Sequence, residues 1–271
     1  MSRIYQLKEM NWKEVESLDR NNTAFLLPIG PVEQHGIHAP LGTDIFIAEH
    51  VMGKCAEYLS QNNYDVVICP AVSYINALFS LPYPGSISIR KKIVEEYLFD
   101  IMSSIAVEGF NNIILISQHL DPPWVRTAER VCTRINDEYG TRSIHGFERI
   151  VMDMVVLGKK LGSLEELDLD GDTHAGVYET APMLYIHEDL IEQDYLTSLP
   201  TMKIPFEDMK KVNSFKDLGE GLGYTGNLSQ VTKQVGKEII DYYENTFKKV
   251  ILRHMQGEDV YEVLKCSHLF N

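Results

Sequence analysis

The chain has 271 residues, with 25 Lys and Arg against 39 Asp and Glu, a formal charge of −14 with histidine neutral. That balance argues against nucleic acid or an anionic membrane as partner, because either needs a basic footprint to displace counterions. With 44% apolar and 24% charged residues the composition is that of a globular chain, long enough to bury about three-quarters of its unfolded surface in one core.

The opening MSRIYQLKEMNWKEVESLDRNN is polar and lacks the apolar centre of a signal peptide, and no run reaches the roughly 18 apolar residues of a membrane span. A soluble cytoplasmic protein without membrane contact is expected. Strands are predicted at Ala24 to Ile29, Val66 to Ala71, Asn112 to Ser117 and Ile150 to Val156. Each is a nearly continuous apolar run, the pattern of a strand covered by helices on both faces. Between them, Ile47 to Ser60 and Lys91 to Glu108 carry apolar residues at a helical period, and Gly109 is placed to end the second. Pro122 and Pro123 suit the first turn of a helix running to about Tyr139 and closed by Gly140. This alternation predicts an α/β fold with a mostly parallel sheet. Leu190 to Gly226 has little pattern and reads as a long excursion of the kind that often carries function or subunit contacts. A last helix is predicted from Ser229 to about Phe247, capped by Asn227 or Ser229. No repeat or linker interrupts the chain, so residues 1–271 are read as one domain. Cys55, Cys69, Cys132 and Cys266 form no CxxC pair, which suggests reduced thiols rather than a disulfide framework or thiolate zinc site.

The chemistry concentrates in three loops. The first, PIGPVEQHGIHAPLGTD over Pro28 to Asp44, places Glu33 and His35 two apart, on one side of an extended backbone, and then turns back to Asp44. The second follows a predicted strand and holds His119 and Asp121, although Asp121 before Pro122 could equally be a helix cap. The third, GDTHAGVYET over Gly171 to Thr180, holds His174 and Glu179, the latter also a residue favoured at a helix start. Loops beyond the carboxyl ends of parallel strands share one edge, so these histidines and carboxylates can converge. Such a nitrogen and oxygen shell suits zinc, manganese or a related ion, one or two per chain, with Asp44 able to bridge two. Tyr83, Phe79, Trp124 and Tyr224 are candidates to line a substrate pocket, and His38 to stand behind the metals. The remaining histidines, His50, His145, His187, His254 and His268, read as surface or core.

These segments resemble the creatininase (creatinine amidohydrolase) family, whose first motif is P-x-G-x-x-E-Q-H-G-x-H-x-P-x-x-T-D. Pro28 to Asp44 reproduces it almost position for position, and the likeness continues through YPGSISI at Tyr83, His119, HAGVYET and GYTGNLSQVTKQVG at Gly223. The resemblance implies a three-layer α/β/α fold, a homo-oligomer, commonly a hexamer, and a small-molecule substrate. It also implies a divalent metal centre of zinc, or alternatively manganese or iron. Glu33 and His119 would hold one ion, His35 the other, and Asp44 both, with either Glu179 or Asp121 as the last ligand and His174 as the catalytic histidine. The implied reaction is attack of a metal-activated water on a carbonyl, most simply a cyclic or linear amide. A carbon–carbon bond in a cyclic diketone, a peptide bond, or a metal-binding role without turnover are the alternatives. Two departures bear on the substrate: Leu120 and Asp121 stand where relatives carry glycines, and no histidine precedes Tyr83-Pro84-Gly85. Both predict an altered pocket and argue against creatinine itself.

Overall fold

The computed structural model describes residues 3–155, 162–204, 208, 211–218 and 220–265. Four strands, β1 (Ile4–Gln6), β2 (Thr23–Pro28), β3 (Asp65–Ile68) and β4 (Asn112–Ile116), form a parallel sheet in the order β1-β3-β2-β4. Among the described residues the α-helices of five or more residues are α1 (Trp12–Glu16), α2 (Thr43–Gln61), α3 (Lys91–Ala106), α4 (Pro122–Tyr139), α5 (Phe147–Val155), α6 (Val177–Ile186), α7 (Asp194–Ser198) and α8 (Lys233–Met255). Every residue of β2 is buried. Ala24 and Leu26 join a core with α2, α5, α6 and α8, whereas Phe25 and Leu27 join one with α3 and α4. The period-two alternation of a strand therefore separates two helical layers, giving the α/β/α sandwich expected.

The helix α4 spans the predicted residues, with Gly140 closing it in the left-handed conformation at φ 67°. The expected strand at Ile150 to Val156 is instead α5; Val156 lies outside the described residues. Phe147, Ile150, Val151 and Met154 are all buried, a helical spacing that an apolar run conceals when read as a strand. The sheet is extended at that edge by a shorter segment, where Ile144 donates to Ile113 O at 3.0 Å and accepts from Leu115 N at 2.8 Å. The last helix begins at Lys233, beyond the predicted start. Asn227 caps a 3-10 turn at Leu228–Gln230, and Thr232 Oγ1 then accepts the Val235 N–H of α8. It runs on to Met255, past the predicted Phe247, because Ile251, His254 and Met255 remain on its buried face. A Cβ at Gly236 would lie 1.9 Å from Ala181 O, so glycine lets α8 approach the backbone of α6 closely. Cys55, Cys69 and Cys132 are free and buried, while Cys266 and His268 lie outside the described residues. Among the described residues no helix is long and apolar enough to cross a membrane.

At the end of α8, His254 is buried with no partner at Nε2, and its main-chain oxygen accepts from Arg142 Nη2. Burial, reinforced by the Arg142 charge, pushes its imidazole down from the usual 6.5 to about 4. The unfolded chain takes up a proton below pH 6.5 that the folded chain refuses until pH 4. This contribution is therefore complete above pH 6.5 and is lost as pH falls, by up to about 3 kcal/mol. Urea unfolding of the chelator-treated protein at pH 7.5 and 4.5 should show a larger loss for wild type than for His254→Gln; equal losses would refute it.

Candidate metal centre

The order β1-β3-β2-β4 places both β3 and β4 beside β2, with α2 crossing on one face of the sheet and α3 on the other. Such a reversal opens a crevice beyond the carboxyl ends of the central strands. The β2–α2 loop carries Glu33 and His35 into it, the first turn of α2 carries Asp44, and the residues after β4 carry His119. His174 and Glu179 arrive from the start of α6. Ala175, between them, adopts φ 52°, a left-handed conformation that a residue with a Cβ seldom takes. The turn directs Ala175 N–H to Glu179 Oε2 at 2.5 Å, and Ala175 O to His38 Nε2 at 2.9 Å and Thr180 Oγ1 at 3.0 Å.

Among the described residues, three groups of donor atoms lie within 4.8 Å of one another: Glu33, Asp44 and His119; His35, Asp44 and Glu179; and Glu33, His35 and His174. Asp44 Oδ2 is 3.5 Å from His35 Nε2 and 3.8 Å from His119 Nδ1, so one carboxylate oxygen is within reach of both imidazoles. His119 Nδ1 is 3.1 Å from Glu33 Oε1, and His35 Nε2 is 3.6 Å from Glu179 Oε2. The far ring nitrogens are anchored on main-chain oxygens: His119 Nε2 on Asn76 O at 3.0 Å, and His35 Nδ1 on Glu33 O at 3.1 Å. Donation from those nitrogens aims His35 Nε2 into the cluster, and likewise His119 Nδ1 once its proton is displaced, as metal-binding histidines are oriented.

Electrostatics point the same way. Burial would raise Glu33, but His119, by charge and hydrogen bond, and then His174 and His35 carry it far below the carboxylate range. Burial lowers His119, yet Glu33 and Asp44 outweigh this and hold it at about 10. Burial and the charge of Glu33 push Asp44 up to about 8 against the pull of His119. Burial and the charge of Asp44 push Glu179 well above its usual value. Burial takes His35 down to about 3. With no metal, the His119 charge lies nearest Glu33, and its weaker pull on Asp44 and Glu179 leaves both above their usual values. Both Asp44 oxygens and His35 Nε2 are buried with no hydrogen-bond partner, an arrangement costing several kcal/mol unless a cation takes up those atoms. Nitrogen and carboxylate donors without thiolate fit zinc, manganese or iron.

His174 sits beside this cluster with Nδ1 3.9 Å from Glu179 Oε2. Its Nε2 lies 3.0 Å from Gln34 O and 2.9 Å from Gln34 Nε2, and Gln34 Oε1 accepts the Gly36 N–H at 2.8 Å. The phenyl ring of Phe215 stacks on the imidazole, centroids 4.0 Å apart and planes 8° from parallel. Burial lowers His174 to about 4. Gln34 and Phe215 were not singled out from the sequence. Gln34 could have been found from its place between Glu33 and His35, whereas Phe215 comes from the excursion and carries no local signal. A Cβ at Gly223 would fall 2.1 Å from Gln34 Oε1, and its φ of 79° also requires glycine.

The other candidates divide. Asp121 lies within electrostatic reach of His119 and Glu33 but belongs to none of the three groups. Burial and the Glu33 charge raise it to about 6, with His119 pulling it down. It occupies the N-cap position of α4, yet its side chain accepts no capping bond. Trp124 does not line a pocket: it is fully buried beneath α4, donating to Glu148 Oε1 at 3.1 Å, because its place in the first turn puts it on the apolar face of that helix. Phe79 packs its ring 5.7 Å from Phe215 and accepts the Phe215 N–H on its carbonyl, so it adjoins the site. Tyr83 packs with the same group and donates to Gly221 O. Tyr224 meets His38 edge-on, and His38 in turn holds Ala175 and Thr180 of the α6 turn.

Comparison with known proteins matches residues 8–251 to Creatininase, described as creatinine amidohydrolase. A creatinine amidohydrolase from Pseudomonas putida is 23% identical over 224 residues, covering 79% of this chain and 84% of that protein. A mycofactocin precursor peptide peptidase from Mycolicibacterium smegmatis is 27% identical over 172 residues, 63% of this chain and 61% of that one. Among solved structures, one of creatininase with manganese superposes with a TM-score of 0.71 at 19% identity, covering 93% of this chain and 99% of the other.

Proposed function

The chain belongs to the creatininase family of metal-dependent amide hydrolases, and on that premise we propose that it binds two divalent ions, zinc, manganese or iron, sharing Asp44. Glu33, Asp44 and His119 would hold one and His35, Asp44 and Glu179 the other. The observation that carries this reading is the buried Asp44 carboxylate, whose single oxygen Oδ2 lies 3.5 Å from His35 Nε2 and 3.8 Å from His119 Nδ1. Bound there, the ions supply Lewis acidity toward an amide carbonyl and bring the pKa of water toward neutrality.

The chain's own residues manage the proton. In the tautomer that donates Nε2–H to the Gln34 carbonyl, His174 has a lone pair on Nδ1. That nitrogen takes a proton from the attacking water and returns it to the departing nitrogen as the carbon–nitrogen bond breaks, leaving an amine and a carboxylic acid whose proton passes to the amine or to solvent. Phe215 covers one face of the imidazole, holding its plane and keeping bulk water from it. The substrate is a small cyclic or linear amide. The compartment proposed is the cytoplasm, where the buried thiols of Cys55, Cys69 and Cys132 stay reduced, and the assembly a homo-oligomer of the hexameric type that the family resemblance implies.

Metal removal tests the reading. Dialysis against a chelator should abolish hydrolysis and lower Tm by several degrees, and added zinc or manganese should restore both at one to two ions per chain, since a ligand bound only by the folded state stabilises it. A chain whose Tm and activity are indifferent to chelator and to added metal would reject it.

A further inference from the structure

Asp121 is an acidic residue of this site that the ligand set above leaves unused. Although it stands at the N-cap of α4, its side chain caps nothing, and its two buried carboxylate oxygens have at most the Leu78 backbone N–H as a partner. The segment facing it repeats the pattern. Asn76 anchors His119 through its main-chain oxygen and donates Nδ2 to Ile89 O at 2.6 Å, which leaves its buried Oδ1 without a partner. Ser80, four residues on and fully buried, has an unpartnered Oγ. The backbone N–H of Leu78, between them, points to the Asp121 carboxylate and favours its ionised form, leaving most of its acceptor capacity unused. The Asn76 to Ser80 segment thus carries two further buried oxygens without partners, and it meets the site through Asn76 O on His119 and the Leu78 backbone against Asp121. Unmatched acceptors in such a place are costly unless a donor-bearing ligand meets them.

Charge narrows the donor. Two divalent ions are balanced by Glu33, Asp44, Glu179 and the negative charge of the nucleophile, so Asp121 is a surplus anion. The chain as a whole, at −14, also draws cations toward it. Resting on the two-ion reading, we propose that Asp121 is a specificity residue that selects amides bearing a protonated amine beside the scissile carbonyl, with Asn76 Oδ1 and Ser80 Oγ as its auxiliary partners. Selection by a site built to pair a donor is strong because the analogue lacking that donor leaves buried groups unpaired.

The test uses metal-loaded protein and two amides of equal size, glycinamide and propionamide, differing by an ammonium in place of a methyl. Affinities from ligand-observed NMR should favour glycinamide by about tenfold or more in wild type, the scale of a charge-assisted hydrogen bond. Asp121→Asn, with Asp121→Ser as the second variant, should lose that preference, leave propionamide affinity unchanged, and keep the wild-type metal content by elemental analysis. Equal binding of the two amides by wild type would overturn the inference, as would a preference that survives both variants. Loss of one ion per chain in the variants would make Asp121 a ligand, overturning the inference while leaving the hydrolase reading intact. A wild-type chain that takes up no divalent ion would end both.

Discussion

Asp44→Asn is expected to lower amide hydrolysis by about a thousandfold or more and to reduce bound metal from two ions per chain to one or fewer. Asp44 Oδ2 stands 3.5 Å from His35 Nε2 and 3.8 Å from His119 Nδ1, so a neutral amide there weakens both sides at once. The loss of about 4 kcal/mol of transition-state stabilisation that a thousandfold represents is within what a metal centre supplies. Stability should move the other way in the metal-free protein. Burial and the Glu33 charge push the Asp44 carboxyl up to about 8, so its ionised form is destabilising in the fold, and asparagine removes that load. The metal-free variant should unfold at a Tm no lower than metal-free wild type, while the rise in Tm on adding metal largely disappears. Since Asp44 must lose its proton to coordinate, metal binding by wild type below pH 8 should release protons, measurable by titration in buffers of different ionisation enthalpy. A variant that keeps two ions and near-wild-type turnover would remove Asp44 from the centre of the site.

His174→Ala is expected to separate chemistry from assembly. No other imidazole of the cluster is free to carry protons: His119 is tied to Glu33 and Asn76, and His35 to Glu33 O with its other nitrogen aimed at Asp44. Removing His174 should therefore lower kcat by about a hundredfold to ten-thousandfold, the usual span for a general acid–base group, with metal content and Tm near wild type. A fall in metal content matching the fall in rate would instead make His174 a ligand, the role offered by its grouping with Glu33 and His35.

Much of this was legible in the sequence where local spacing and contact coincide. Glu33 and His35 converge because residues two apart on an extended loop share a side, and Asp44 reaches them because Gly42 precedes the first turn of α2. Pro122 and Gly140 bracket α4 through their own backbone preferences. What failed or stayed hidden depends on contacts distant in the chain. β1 is three residues long and exists through pairing with β3. The helical spacing of Phe147, Ile150, Val151 and Met154 was present but masked by intervening apolar Met152. Phe215 reaches His174 only through the path of the excursion, and Trp124, aromatic beside prolines, could be told from a pocket residue only by its burial against Glu148.

The tripeptide Glu33-Gln34-His35 has a consequence for how this scaffold can change. Its side chains and its own peptide oxygens work crosswise: Glu33 O steadies His35, and Gln34 O steadies His174 across the crevice. A single inserted or deleted residue would put every one of these contacts out of step, so that stretch is frozen. The walls at Asn76 to Ser80 and at Leu120 and Asp121 hold none of these bonds apart from the Asn76 anchor on His119. Evolvability is thereby partitioned, and libraries that diversify those walls should yield new preferences without retraining the reaction.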